Sequence, residues 1–187
     1  MIDEYNAART GWARFSDDRT MRYRLARSLT DAPLQVVDGR IVAPRRIVFA
    51  LINPSDADAF EPDPTVTNCC TFSRRWSGDV TEVCNLNAFR SPYPTDLKKR
   101  ACGQRGDDPV NDAEILAACT GAHLVIAGWG NDGGLDFRDR KVLAMLREHG
   151  IQLHHLGLTQ SGFPKHPLAR GKHRIAADFV PQEWSPQ

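Results

Sequence analysis

The chain has 187 residues, with 24 Lys and Arg against 23 Asp and Glu and 41% hydrophobic residues. That composition excludes a disordered, collagen-like or coiled-coil chain, and the length suits one domain with its own core. The longest apolar run covers residues 47–52, far short of the roughly 20 residues of a membrane span. The polar start MIDEYNAART carries no signal-peptide stretch. These features predict a cytoplasmic protein with no membrane contact.

Residues 1–45 are expected to form an N-terminal hairpin and extension, and residues 1–30 are rich in arginine: Arg9, Arg14, Arg19, Arg22, Arg24 and Arg27. Residues 23–29 fit a strand or a short helix, and Asp38-Gly39 between apolar pairs signals a hairpin turn. The apolar run 47–52, stopped by Asn53-Pro54, reads as a buried strand. A polar loop follows, then a helix over about 67–76 and a second strand in 80–90. A helix is predicted over 111–121, with Asn111 as its cap and Glu114 at the capping-box spacing. A third strand lies in 122–130, an amphipathic helix over 138–150 ends at Gly150, and a fourth strand lies in 151–159. Residues 171–187 are left as a tail. The alternation predicts one domain with an α/β core over 46–170: a three-layer α/β/α arrangement with a mainly parallel central sheet and helices on both faces.

Ligands of open parallel sheets bind beyond the carboxyl ends of the strands. Here the four exits carry Asn53-Pro54-Ser55, then Asn85, Asn87 and Arg90, then Asn131, then Lys165-His166-Pro167. Taken alone, Asn53-Pro54 reads as a turn start. Asn85 and Asn87 lie two apart and should face the same side, where a carboxamide can read a base edge. His166 sits between Pro164 and Pro167, a rigid setting that fits a fixed catalytic group or a plain turn. His123, His154 and His155 read as structural.

Residues 160–177 hold Lys165, Arg170, Lys172 and Arg174 with no acidic residue, which fits phosphate binding or a solvated face. Asp56, Asp58, Glu61 and Asp63 lack the glycine and distal glutamate of a calcium loop and read as a solvated acidic loop. Five cysteines, an odd count with no C-x-x-C, argue against a disulfide framework or a zinc ribbon. Each is expected as a small buried hydrophobe.

Six ordered blocks, LINPSDAD, DPTVTNC, NLNAFR, NDAEI, GWGN and GLTQSGFPKHPL, resemble a bacterial and phage family known as domain of unknown function 1643. A more distant resemblance, to the uracil-DNA glycosylase superfamily, rests on LINPS, VTNCCTFSRRW, VCNLNAF and KHPL in that order. In that superfamily the first strand ends in a motif carrying a catalytic Asn or Asp, and the last leads to a His- or Asn-containing loop. Leu51 and Ser55 stand where its glycines are expected, and Leu168 where a serine follows His-Pro.

The second resemblance implies a uracil-DNA glycosylase-like fold and a monofunctional DNA glycosylase. Such an enzyme hydrolyses the N-glycosidic bond of a flipped base to leave an abasic site, in repair or in defence against modified foreign DNA. Asn53 would position the attacking water, and His166 would stabilise the leaving base. Asn85, Asn87, Phe72, Cys70 and Asn131 would bind the base, with Cys70 at the usual stacking position leaving room for a bulky, modified one. Ser55, Arg74, Arg75, Arg90, Lys165 and Arg170 would contact DNA phosphates. The implied enzyme is a monomer with no metal and no cofactor. The alternatives are a metal-dependent nucleotide or nucleoside hydrolase using Asp56, Asp58 and Asp63, and a non-catalytic nucleic-acid-binding module.

Overall fold

The computed structural model describes residues 1–185. Its centre is the four-strand unit expected from the apolar runs. β6 (Arg46–Leu51) lies between β7 (Val80–Asn85) and β8 (Leu124–Ala127), and β9 (Leu153–His155) follows β8, all parallel. The sheet does not stop there. β1 (Ile2–Tyr5), β2 (Gly11–Phe15) and β3 (Arg22–Ser28) extend it beyond β7, and β10 (Gln182–Trp184) extends it beyond β9. The order is β1-β2-β3-β7-β6-β8-β9-β10. Three of these pairings are parallel and four antiparallel, so the sheet is mixed rather than mainly parallel. A separate hairpin, β4 (Gln35–Val37) with β5 (Arg40–Val42), turns through Asp38 and Gly39, both at positive φ. Asp-Gly fits that turn because both central residues must be left-handed.

β6 and β8 read as apolar runs because both of their faces are covered. Ile47, Phe49 and Leu51 pack with Cys69 and Phe72 of α1 (Pro64–Arg75). Val48 and Ala50 pack on the other face with Ile115 and Ala118 of α3 (Pro109–Cys119) and with Val142 and Leu146 of α4 (Arg138–Glu148). Burying one such side chain contributes about 1.5–3 kcal/mol. A short helix, α2 (Pro94–Lys99), lies in a stretch expected to be loop. Among the described residues, no helix is long and apolar enough to cross a membrane.

Two helix starts differ from expectation. α1 begins at Pro64, because Asp63 caps it through Val66 N and proline is accommodated in the first turn. α3 is capped by Asp108, not Asn111. Four of the five cysteines are buried, but Cys102 is exposed.

The arginines of the N-terminal segment are not all solvated. Glu82 is fully buried, with Arg24 on one carboxylate oxygen and Arg46 on the other, both at 2.6 Å. Glu114 of α3 faces Arg14 and Arg24 at 3.1 and 3.4 Å. This charge cluster lets an arginine-rich strand continue the sheet.

Candidate functional site

Past Leu51, the exits of β6 and β7 stay paired: Leu86 N donates to Leu51 O, and Asn87 N to Ile52 O. The chain then turns at Asn53-Pro54. The Asn53 amide nitrogen donates to Ser91 O at 2.8 Å and to Pro54 O at 3.1 Å. Those two carbonyls fix the amide's orientation and leave Oδ1 as the free acceptor. Ser55 donates its hydroxyl to the Asp63 carboxylate, whose other oxygen takes Val66 N at 2.7 Å.

At the β7 exit, Asn111 Nδ2 donates to the carbonyls of Asn85 and Leu86, each at 3.0 Å, and Arg138 Nε donates to Leu86 O at 2.7 Å. The backbone there is satisfied by side chains from α3 and α4. The Asn85 side chain is only 1% exposed, and among the described residues neither its oxygen nor its nitrogen has a hydrogen-bond partner. Buried amides are rarely left bare.

The segment after β9 brings His166 to these two exits. It crosses Gly128, where a Cβ would come within 3.0 Å of Pro167 and 3.1 Å of Leu51. Asn68 of α1 donates to Pro167 O at 2.6 Å and ties the segment to the helix. His166 Nδ1 accepts from Leu168 N at 3.1 Å, so in the neutral ring the proton sits on Nε2. Burial holds the His166 pKa below its usual value, against a weaker opposing pull from Asp63. The ring is therefore neutral near pH ~7 and offers Nε2–H as a donor.

Asn53, Ser55, Asp63, Asn85 and His166 line one cavity of about 150 Å³, joined by Arg22 from β3. That is the room of about five waters. Arg22 is 2% exposed; its Nη1 donates to Ala57 O at 2.6 Å, and its Nε has no acceptor among the described residues. Burial lowers its pKa to about 10, which leaves it charged. The cavity thus gathers a cation, a neutral imidazole donor, a bare carboxamide and a carboxamide acceptor.

Other expected site residues lie elsewhere. Asn87 is buried and spends its amide on Ile52 O at 3.3 Å, because β7 has ended at Asn85 and the alternation no longer holds. Asn131 is exposed and accepts from the Thr159 hydroxyl at 2.7 Å, outside the cavity lining. Cys70 packs among Ala13, Phe15, Leu25 and Val66, and burial raises its thiol pKa. Phe72 stacks on Trp76 with ring centroids 5.5 Å apart.

Phe72 also lines a separate groove of about 630 Å³, together with Arg75, Arg170 and Arg174. Asn68 and Pro167 line this groove, and their hydrogen bond ties it to the loop that carries His166. Arg74 is exposed outside the groove lining, and Lys165 is half-buried. Arg90 lies 5.1 Å over the Phe15 ring and donates to Asp56 O. Asp58 takes the backbone N–H groups of Phe60 and Glu61 and Asp63 caps α1, so these two carboxylates are spent on separate local donors.

Residues 22–168 match the family model described as a protein of unknown function, DUF1643. The chain belongs to that family. No curated protein and no solved structure matches it. The DUF1643 span opens at Arg22 and closes at Leu168, so it contains every residue of the cavity. It leaves out Arg170 and Arg174 on the groove wall.

Sequence reasoning missed Arg22 and gave Asp63 to the acidic loop. The signal for Asp63 was present, since Asp63-Pro64 is a cap followed by a first-turn proline. Arg22 carried no such signal, because its place depends on β3 pairing with β7.

Proposed function

We propose that this chain is a DNA glycosylase that hydrolyses the N-glycosidic bond of a flipped, modified base and leaves an abasic site. One observation carries the reading: Asn53, with its Oδ1 unspent, Asn85, with its bare amide, and His166, with its Nε2–H donor, line one cavity at the carboxyl ends of the parallel strands. The acceptor orients a water, the amide reads the base edge, and the imidazole donates to the departing base. The C1′–N bond breaks with its electron pair going to the base nitrogen. The water oxygen bonds to C1′, and the water's proton passes to solvent. Helices on both faces of the parallel strands support a three-layer, glycosylase-like reading of the core. The groove arginines supply phosphate contacts, and one chain provides every cavity residue.

The test is abasic-site formation on plain and hypermodified DNA, read by alkaline strand cleavage with and without EDTA. Mass spectrometry of the released base identifies the substrate. No abasic sites on any DNA at high enzyme concentration overturns the reading. Loss of activity in EDTA replaces it with metal-dependent hydrolysis.

A further inference from the structure

The groove between α1 and the C-terminal segment encloses about 630 Å³, against about 150 Å³ for the cavity at the strand exits. That is room for a small organic molecule rather than a lone ion. One wall is a stripe of α1: Asn68, Thr71, Phe72 and Arg75 follow the helical repeat and so share one side. The facing wall lies between Pro167 and Ala177. It adds apolar surface from Leu168, Ala169 and Ile175, and charge from Arg170 and Arg174. Two side chains staple the walls together, Asn68 through Pro167 O and Arg75 through Ala177 O. Among the described residues, no carboxylate lines the groove, and no hydrogen bond or ion pair holds the side chain of Arg170 or Arg174.

This chemistry selects a ligand. Two unpaired guanidinium groups suit a phosphate. Inorganic phosphate alone would leave the apolar wall uncovered. An acyl chain would leave acceptors bare on the helix wall: Asn68 spends Nδ2 on Pro167 O and keeps Oδ1, and the Thr71 hydroxyl donates to Thr67 O and keeps its lone pairs. A nucleobase covers apolar surface with its plane and meets acceptors with the N–H groups of its edge. We propose that this groove is a nucleotide site, with Arg170 and Arg174 on the phosphate and the base against the apolar wall. The ligand is a free nucleoside monophosphate or one unit of a strand whose neighbour enters the cavity. The site extends the phosphate contacts named above to a whole nucleotide, and it rests on the base-release reading only in the case of a strand.

The test is equilibrium binding to the full chain of inorganic phosphate, deoxyribose 5-phosphate, deoxyadenosine and deoxyadenosine monophosphate. The monophosphate should bind about 10-fold or more tighter than each of the other three. An exposed ion pair contributes up to about fivefold, so Arg170→Ala combined with Arg174→Ala should weaken the monophosphate by roughly 10- to 25-fold and leave deoxyadenosine unchanged. Ala176→Glu puts a carboxylate in the groove from an exposed position and should abolish monophosphate binding. No binding of the monophosphate, affinity equal to that of phosphate, or a folded double variant that keeps full affinity overturns the proposal. All three positions are exposed, a thermal melt checks the fold, and the ligand series on the unmodified chain decides in any case. The deoxyadenylate trinucleotide separates the two sources. Tighter binding than the monophosphate, lost in the double variant, assigns the groove to a strand; equal binding assigns it to a free nucleotide. No base is released in these measurements, so nucleotide binding without abasic sites on any DNA sinks only the glycosylase reading. Abasic sites without groove-dependent nucleotide binding sink only this proposal.

Discussion

Arg22 and Arg24 stand two residues apart on one strand yet serve opposite faces of the sheet. Arg24 reaches Glu82 and Glu114 on the face covered by α3, while Arg22 lines the cavity beside Val66 of α1. Strand alternation alone would put both on one face. The register explains the difference. Arg24 opposes Arg14 and Arg22 opposes Phe15, so Tyr23 is an extra residue on β3, and the bulge reverses the alternation. One irregularity thereby supplies both a structural ion cluster and a site cation.

The ion cluster makes the first prediction. Glu82 is fully buried between Arg46 and Arg24, of which Arg24 also faces Glu114. Glu82→Ala leaves Arg24 and Arg46 buried without it and should cost roughly 3–5 kcal/mol of stability. Urea unfolding measures the loss. A change under about 1 kcal/mol, the worth of an exposed pair, would show that the cluster is solvated.

Gly128 makes the second. A methyl group there meets Pro167 at 3.0 Å and Leu51 at 3.1 Å, both tighter than ordinary van der Waals contact. The loop is the part able to yield, since β6 is locked in the sheet. Gly128→Ala should therefore displace His166 and lower base release by about 10²-fold, the effect of misplacing a reacting group by an ångström. The unfolding midpoint should move little. Full activity in the variant would mean that the position of His166 does not matter to turnover.

Much of this site was readable in advance. β6 announced itself as an apolar run stopped by a polar exit, the strand–helix alternation placed the other parallel strands, and Asn53, Asn85 and His166 followed from the rule that ligands sit at those exits. What escaped depends on pairing rather than pattern. β2 and β3 carry arginines whose counter-charges come from other elements, so nothing local showed that they join the central sheet. Asn111 looked like a cap because nothing local shows its amide reaching the carbonyls of Asn85 and Leu86. Asn87 was placed beside Asn85 by an alternation that ends with the strand.

The third prediction concerns pH. Burial depresses the His166 pKa below its ordinary 6.5, and His155 is lowered in the same way. Below 6.5 the unfolded chain therefore binds protons that the folded chain resists, so stability falls as pH drops through that value and levels off below the folded-state pKa. Protonation would also put a hydrogen on Nδ1 against Leu168 N–H, breaking the contact that orients the ring. Base release should fall as pH drops below the same pKa. In His166→Asn the stability slope should shrink to the share of His155. Stability that is flat with pH in the unmodified chain would contradict the burial of both rings.

The groove makes the last. Arg170 is exposed on its wall, and among the described residues no hydrogen bond or ion pair holds its side chain, so it can meet a phosphate. Arg75, on the same wall, donates to Ala177 O and so also pins the C-terminal segment. The two substitutions should therefore differ. Arg170→Ala should weaken DNA binding about equally across sequences and reduce the slope of log affinity against log salt by about 0.9, the value for one lost phosphate contact on duplex DNA. Its thermal stability should be unchanged. Arg75→Ala should show the same loss of slope together with a lower unfolding midpoint. Both follow from titrations at three or more salt concentrations, paired with thermal melts. An unchanged salt slope in Arg170→Ala would remove the groove from the DNA path and leave the cavity to be reached from another side.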